Sequence, residues 1–230
     1  MHNIPGTLYV VATPIGNLED ITLRALSTLK EVDLILCEDT RTTKKLLDRY
    51  SINKPTMSYH SHSKLSREKD IIGKLEDGKN LALVSDAGTP SISDPGALLV
   101  RHIREQLPEA RIIPIPGPSA LITALSASGF DTSSFTFLGF LPHKKGRETL
   151  FKEITLSDRT VVFYESTHRI MKTLASLKEC LEEGRKIALG RELTKKFEEI
   201  VSGTATELEL YLTTQPEKTK GEFVVLVEAR

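Results

Sequence analysis

A chain of 230 residues with 31 acidic and 31 basic side chains is long enough to bury one large core or two modest ones. Its zero formal net charge gives no global pull toward nucleic acid, so any RNA contact must come from a local patch. The two cysteines, Cys37 and Cys180, lie far apart and outside metal-ligand spacing, which argues against a disulfide framework and for a reducing, cytoplasmic compartment. No apolar run reaches membrane-spanning length, and the MHNIPGTLYVV start has no basic segment followed by an apolar stretch and a cleavage site, so membrane insertion and export are disfavoured.

In chain order, Thr7 to Ala12 (TLYVVA) reads as a β-branched strand ended by the turn Thr13-Pro14-Ile15-Gly16-Asn17. Asp20 is placed to cap a helix with Leu23, Leu26 and Leu29 on one face. A strand over Val32 to Cys37 closes on Glu38-Asp39-Thr40-Arg41, and Thr40 or Thr42 opens a helix carrying Leu46, Leu47 and Tyr50. After the polar stretch Met57 to Ser63 come a helix to about Glu76, a strand at Leu81 to Val84, a helix from Pro95 to Gln106 and a strand at Arg111 to Ile115. This alternation predicts a mostly parallel sheet with helices on both faces.

Pro114-Ile115-Pro116-Gly117-Pro118 is the strongest punctuation in the chain. It places the domain boundary at 115/116, with one α/β domain over 1–115 and a second over 116–230. The second half predicts a helix at Ser119 to Ser128, a strand at Phe135 to Phe140, a basic helix at Lys144 to Ile154 and a strand at Thr160 to Tyr164. Further elements are a helix at Ile170 to Leu181, a strand at Lys186 to Gly190 with Phe197 to Val201 beside it, and a final strand at Glu222 to Glu228. Shorter crossovers there imply a mixed sheet.

The loop after Val84, Ser85-Asp86-Ala87-Gly88-Thr89-Pro90, follows a core strand directly and sits where open α/β sheets bind small ligands. Asp86, Gly88 and Thr89 are therefore assigned to ligand contact, and Asp94 to capping the next helix. Familiar signatures are missing: no G-x-G-x-x-G follows the first strand, and the chain has neither a phosphate-binding G-x-x-x-x-G-K-[ST] loop nor a G-x-S-x-G elbow. His60 and His62 have no further ligand at metal-site spacing, so no metal is assigned.

The runs LYVVATPIGNLEDITLRAL, CEDTR, LVSDAGTPSISDPG, PIPGPSA, FLGFLP, FYESTHR and GRELTKKFEE resemble the ribosomal RNA small subunit methyltransferase I group of the tetrapyrrole methylase family, from about Gly6 to Glu228. The resemblance implies two α/β domains with S-adenosylmethionine in the cleft between them, a homodimer, and methylation of a cytidine ribose 2′-hydroxyl in the decoding region of 16S RNA in the small ribosomal subunit. It also implies that Pro14, Ile15, Asp86, Ala87, Gly88, Thr89, Ser119 and Ala120 hold the cofactor. The resemblance also implies a small helical C-terminal domain in many relatives, which is expected to be absent here because the sequence ends just after its last strand. Two other readings stay open: methylation of another acceptor such as a tetrapyrrole, and a ligand-binding module without turnover.

A hydroxyl nucleophile benefits from a base or a nearby positive charge. Glu165 in FYESTHR, and Arg191 with Glu192 in GRELTKK, fit that need; the competing reading for each is a structural salt bridge. His143-Lys144-Lys145-Gly146-Arg147 and Lys195-Lys196 are cation clusters of the kind that position a phosphate backbone. Lys144, Lys145, Arg147, Lys195 and Lys196 are accordingly expected to bind RNA.

Overall fold

The computed structural model describes residues 4–60 and 65–230, without the side chain of Leu65. His62, to which no metal-ligand role is assigned, lies outside the described residues. The chain divides into two compact units, Met1–Ser119 and Ala120–Arg230.

In the first unit, strands β1 (Thr7–Val11), β2 (Leu34–Cys37), β3 (Thr56–Ser58), β4 (Leu81–Val84) and β5 (Arg111–Ile115) form one sheet in the order β3-β2-β4-β1-β5. Every neighbouring pair is parallel. Four helices cross over between them: α1 (Leu23–Glu31), α2 (Thr40–Arg49), α3 (Leu65–Glu76) and α4 (Gly96–Gln106). One face packs Ala25, Leu29, Leu46 and Leu47 from α1 and α2 onto Ile35, Ala82 and Val84. The opposite face packs Ile71 and Leu75 of α3 with Leu99 and Ile103 of α4 onto Leu8, Leu36 and Leu83. The central strands β2 and β4 are buried on both faces, which explains why they read as unbroken apolar runs.

Local capping corrects one expectation. Thr22, not Asp20, opens α1: its hydroxyl accepts the Ala25 N–H at 3.1 Å, while Asp20 ends a short 3-10 turn, Leu18–Asp20. Asp39 caps α2 by accepting the Arg41 N–H at 2.8 Å. Asp94 takes its expected role, accepting Gly96 N–H at 2.7 Å and Ser91 N–H at 3.2 Å. The proline segment stays with the first unit: a Cβ on Gly117 would lie 3.0 Å from the Ala12 methyl, and Thr89 Oγ1 donates to Pro118 O at 3.3 Å.

The second unit holds helices α5 (Ala120–Ser128), α6 (Arg147–Leu156), α7 (Ile170–Cys180) and α8 (Ala205–Thr214). Its sheet runs β6-β7-β10-β8-β9 from β6 (Phe135–Phe140), β7 (Thr160–Ser166), β8 (Ile187–Arg191), β9 (Glu199–Gly203) and β10 (Glu222–Val227). β6 and β7 are parallel and the remaining pairs antiparallel, so the sheet is mixed. Helices α6, α7 and α8 bury Phe151, Ile154, Leu174, Leu177, Leu208 and Leu212 against Phe163, Leu189 and Val225. The helix α5 lies on the other face, where a Cβ on Gly190 would stand 3.4 Å from the Ala124 methyl.

Two expectations change here. The helix α6 starts at Arg147 behind a left-handed Gly146 (φ 85°), so Lys144 and Lys145 stand in the turn ahead of it and outside the helix itself. The helix α8, unassigned from sequence, carries a full capping box between Thr204 and Glu207.

Candidate functional site

β1 and β4 are neighbours, with Val11 paired to Val84, but the chain leaves them toward opposite faces, β1 to α1 and β4 to α4. Divergence of adjacent strand exits opens a crevice outside the carboxyl edge of a parallel sheet, the switch point where such sheets bind ligands. Two loops meet there. Thr13 N–H donates to Gly88 O at 2.9 Å and Gly88 N–H to Thr13 O at 3.1 Å, while Thr13 Oγ1 donates to Ser85 O at 2.9 Å. This bridge fixes the β4 loop against the β1 turn.

Gly88 occupies the left-handed region (φ 84°), and a Cβ there would touch Ile15 Cγ2 at 3.4 Å and stand 3.7 Å from Pro118 O. Glycine thus leaves a shallow cradle between the exits of β1, β4 and β5. Pro14 is buried beneath it, Ile15 and Thr89 are half-buried, and Asp86 and Ala87 are exposed at its mouth. Ser91 (φ 73°) and Ser93 (φ 56°), further along the loop, are also left-handed. Ser119 ends this unit and Ala120 opens α5 of the next.

The same edge collects carboxylates from two strands. Asp39, after β2, donates its backbone N–H to Asp86 Oδ1 at 3.2 Å. Although its residue is largely exposed, partial desolvation by the loop walls raises the Asp86 carboxyl above the ordinary range; the Asp39 N–H opposes that rise, and the charges of Asp39 and Asp94 add to it. Glu38 is raised by burial and by Asp94 and Asp86. Asp39 is held down to about 2, chiefly by the Arg41 guanidinium, which pairs with it at 2.7 Å. Negative charge at the mouth of a crevice favours a cationic ligand group. Glu38, Asp39 and Thr13 were not assigned to a site from sequence. CEDTR alone looks like a strand followed by a helix cap, and only the adjacency of β2 and β4 brings it to Asp86.

The expected catalytic residues of the second unit are all engaged within it. Glu165 is buried in β7: Oε1 lies 2.7 Å from Arg169 Nε, Oε2 lies 3.9 Å from Arg147 Nη1, and Oε2 accepts the Thr173 hydroxyl at 2.7 Å. Arg191 donates to the carbonyls of Lys220 (2.8 Å) and Phe197 (3.1 Å). Glu192 accepts from Lys195 Nζ and Glu222 N–H, both at 2.9 Å. In these pairings both carboxylates already have cationic or hydrogen-bond partners within the unit.

The expected RNA contacts separate likewise. Arg147 is buried, donating to Thr173 Oγ1 at 2.7 Å and Pro142 O at 3.4 Å, and is not displayed to phosphates. Lys144, Lys145 and Lys196 are exposed. Lys195 is half-buried between Glu192 and Glu222. Among the described residues no group of three or more His, Cys, Asp or Glu is arranged to hold a metal ion, and no helix is long and apolar enough to cross a membrane.

The tetrapyrrole (corrin/porphyrin) methylase family model matches residues 7–209. The chain belongs to the tetrapyrrole methylase family. This methylase is 49% identical over its whole length to ribosomal RNA small subunit methyltransferase I of Haemophilus influenzae, spanning 81% of that protein. It is 48% identical over 98% of its length to the protein of the same name from Escherichia coli O157:H7, spanning 79% of it. Among solved structures, the methyltransferase CobJ superposes with a TM-score of 0.70 at 21% identity, over 97% of this chain and 94% of that one. Diphthine synthase superposes with a TM-score of 0.73 at 12% identity, over 97% and 89%. These two likenesses concern the fold.

The methylase is a methyltransferase that uses S-adenosylmethionine. The crevice fits that donor: Gly88 leaves the space a side chain would fill, and the Asp86 carboxylate suits a ligand bearing an ammonium and a sulfonium.

Proposed function

We propose that this methylase transfers the S-adenosylmethionine methyl group to the ribose 2′-hydroxyl of a cytidine in the decoding region of 16S RNA. The observation that carries the reading is the end-to-end likeness to proteins named ribosomal RNA small subunit methyltransferase I. The crevice at the β1 and β4 exits is the donor site in this reading, lined by Pro14, Ile15, Asp86, Ala87, Gly88 and Thr89; Ser119 and Ala120 are the further donor contacts that the family resemblance implies.

The donor supplies a sulfonium methyl whose thioether leaving group departs without needing a proton. The chain's work is therefore orientation. The Thr13–Gly88 bridge fixes the cradle floor, and Asp86, steadied by the Asp39 N–H, holds cationic charge. A pre-shaped loop loses less conformational freedom on binding than a mobile one.

Lys144, Lys145 and Lys196 serve the RNA backbone, being exposed cations on a chain of zero net charge. A cytoplasmic homodimer goes with this reading, on the family resemblance.

The test is transfer of labelled methyl from S-adenosylmethionine to purified small subunits lacking the modification, followed by nuclease digestion and mass analysis. Label on one 2′-O-methylcytidine is the expected result. Label on a base, or none while the donor binds, would overturn the acceptor assignment.

A further inference from the structure

Three strands of the second sheet, β6, β7 and β8, run in one direction, and β9 and β10 run in the other. The exits of β6, β7 and β8 and the starts of β9 and β10 therefore share one end of the sheet. That end carries the exposed lysines Lys144, Lys145 and Lys196. It also carries two large exposed apolar rings, Phe140 (58% exposed) and Phe197 (64% exposed). Exposed aromatics interleaved with cations are the usual build of a single-stranded nucleic-acid surface, where bases stack on rings and phosphates meet ammonium groups.

Phe140 is held in its exposed position. The pairing of β6 with β7 shifts register between Phe137 and Phe140, and Gly139 sits there in the left-handed region (φ 64°). A bulge at a strand exit re-aims the side chain that follows it. One side of the Phe140 ring rests on Tyr164, centroids 5.3 Å apart and tilted 58°. Tyr164 is itself braced edge-on by Phe137 at 5.0 Å.

The chain after Phe140 is pinned just as firmly. Arg169 Nη1 donates to Leu141 O at 2.6 Å and Arg147 Nη1 to Pro142 O at 3.4 Å, both guanidiniums being paired with buried Glu165. The ring and the turn that presents Lys144 and Lys145 thus form one pre-organised unit. Nothing in the packing of the second unit accounts for holding a phenylalanine outward beside two lysines.

We propose that Phe140 is a stacking platform for an unpaired base of the RNA substrate, next to phosphate contacts from Lys144 and Lys145. This rests on the reading of the protein as an RNA methylase. The buried Glu165 with Arg147 and Arg169 acts as the positioning group of that platform.

The experiment compares Phe140→Ala, Phe140→Trp and the unaltered protein in three measurements: kcat and KM for small subunits, affinity for a single-stranded RNA oligonucleotide of decoding-region sequence, and S-adenosylmethionine affinity. Loss of one stacked base is expected to raise KM and weaken oligonucleotide binding about tenfold or more in Phe140→Ala. The donor affinity stays unchanged, and Phe140→Trp restores RNA binding. Unchanged oligonucleotide affinity in Phe140→Ala would overturn the proposal. So would a changed oligomeric state by light scattering, which would assign the ring to a protein interface. If the unaltered protein binds the oligonucleotide through Phe140 yet methylates no subunit, the acceptor assignment falls and the stacking site stands.

Discussion

Thr13 and Gly88 exchange both backbone hydrogen bonds, at 2.9 and 3.1 Å, and so join the exits of two parallel strands whose helices lie on opposite faces of the sheet. The pair sets the floor of the crevice proposed to hold the donor. Gly88 must stay left-handed to keep both bonds, and a Cβ there would lie in contact with Ile15 at 3.4 Å. Gly88→Ala is expected to lower stability by about 1–2 kcal/mol through the left-handed backbone alone. It should also weaken S-adenosylmethionine binding by more than that strain explains. Calorimetric titration beside thermal unfolding separates the two effects.

Asp86 gives a pH signature. Its carboxyl is raised by partial desolvation and by the charges of Asp39 and Asp94, so the folded state disfavours its charged form. The sign follows: its unfavourable contribution to stability sets in as pH rises from the unfolded toward the raised folded pKa, and is absent below both. Donor binding runs the other way. A cationic ligand favours the carboxylate, so affinity falls as pH drops through the raised pKa, and binding releases protons in that window. Asp86→Asn keeps an oxygen for the Asp39 N–H but removes the charge. It should bind more weakly at neutral pH and show a flatter pH dependence, read by titration across the acid range. An unchanged profile would remove Asp86 from the donor site.

Glu165 is the next test, because a base and a buried ion-pair partner fail differently when replaced. Its side chain is wholly buried between two guanidiniums, and removing one member of a buried pair leaves uncompensated charge, typically costing about 3–5 kcal/mol. Glu165→Ala should therefore lower the unfolding temperature and the yield of folded protein, with kcat per folded molecule largely kept at saturating RNA. A stable, fully folded variant with abolished kcat would instead support a catalytic role for Glu165.

The outline of the fold was legible because it rests on local signals. β5 and β6 fall at the expected residues, Arg111–Ile115 and Phe135–Phe140, each bounded by proline, glycine or serine turns. The omissions have separate causes. β3, Thr56–Ser58, is a three-residue edge strand with no alternation long enough to register. The helix α8 announced itself by Thr204 and Glu207, a capping box visible in the sequence but unread. At the site, the Asp86–Thr89 loop stood out because glycine, proline and aspartate follow a core strand. Its acidic neighbours Glu38 and Asp39 did not. They join Asp86 through strand order, a long-range property that no local window contains. The same limit governed Arg147, which reads as one of a basic cluster until packing turns it inward to Thr173 and Glu165.

That distinction between Arg147 and the lysines makes the last prediction. Lys144 and Lys145 are exposed ahead of α6, and each phosphate contact they make releases condensed counterions. Log affinity for RNA then falls with log salt by about 0.7–0.9 per contact. A Lys144→Ala, Lys145→Ala double variant should bind ribosomal substrate more weakly and with a shallower salt slope, while its unfolding temperature stays close to that of the parent. Arg147→Ala should do the reverse. It breaks the bonds to Thr173 and Pro142 and leaves Glu165 with one partner fewer, so stability drops. Where the protein is folded, any loss of RNA affinity follows from a slackened turn and leaves the salt slope near the parent value. Affinity measured over a salt series for both variants decides between them. A double-lysine variant with the parent's slope would mean that this end of the second sheet does not meet the RNA backbone, whereas a shallower slope in Arg147→Ala would mean that its guanidinium leaves the Glu165 pair to reach a phosphate.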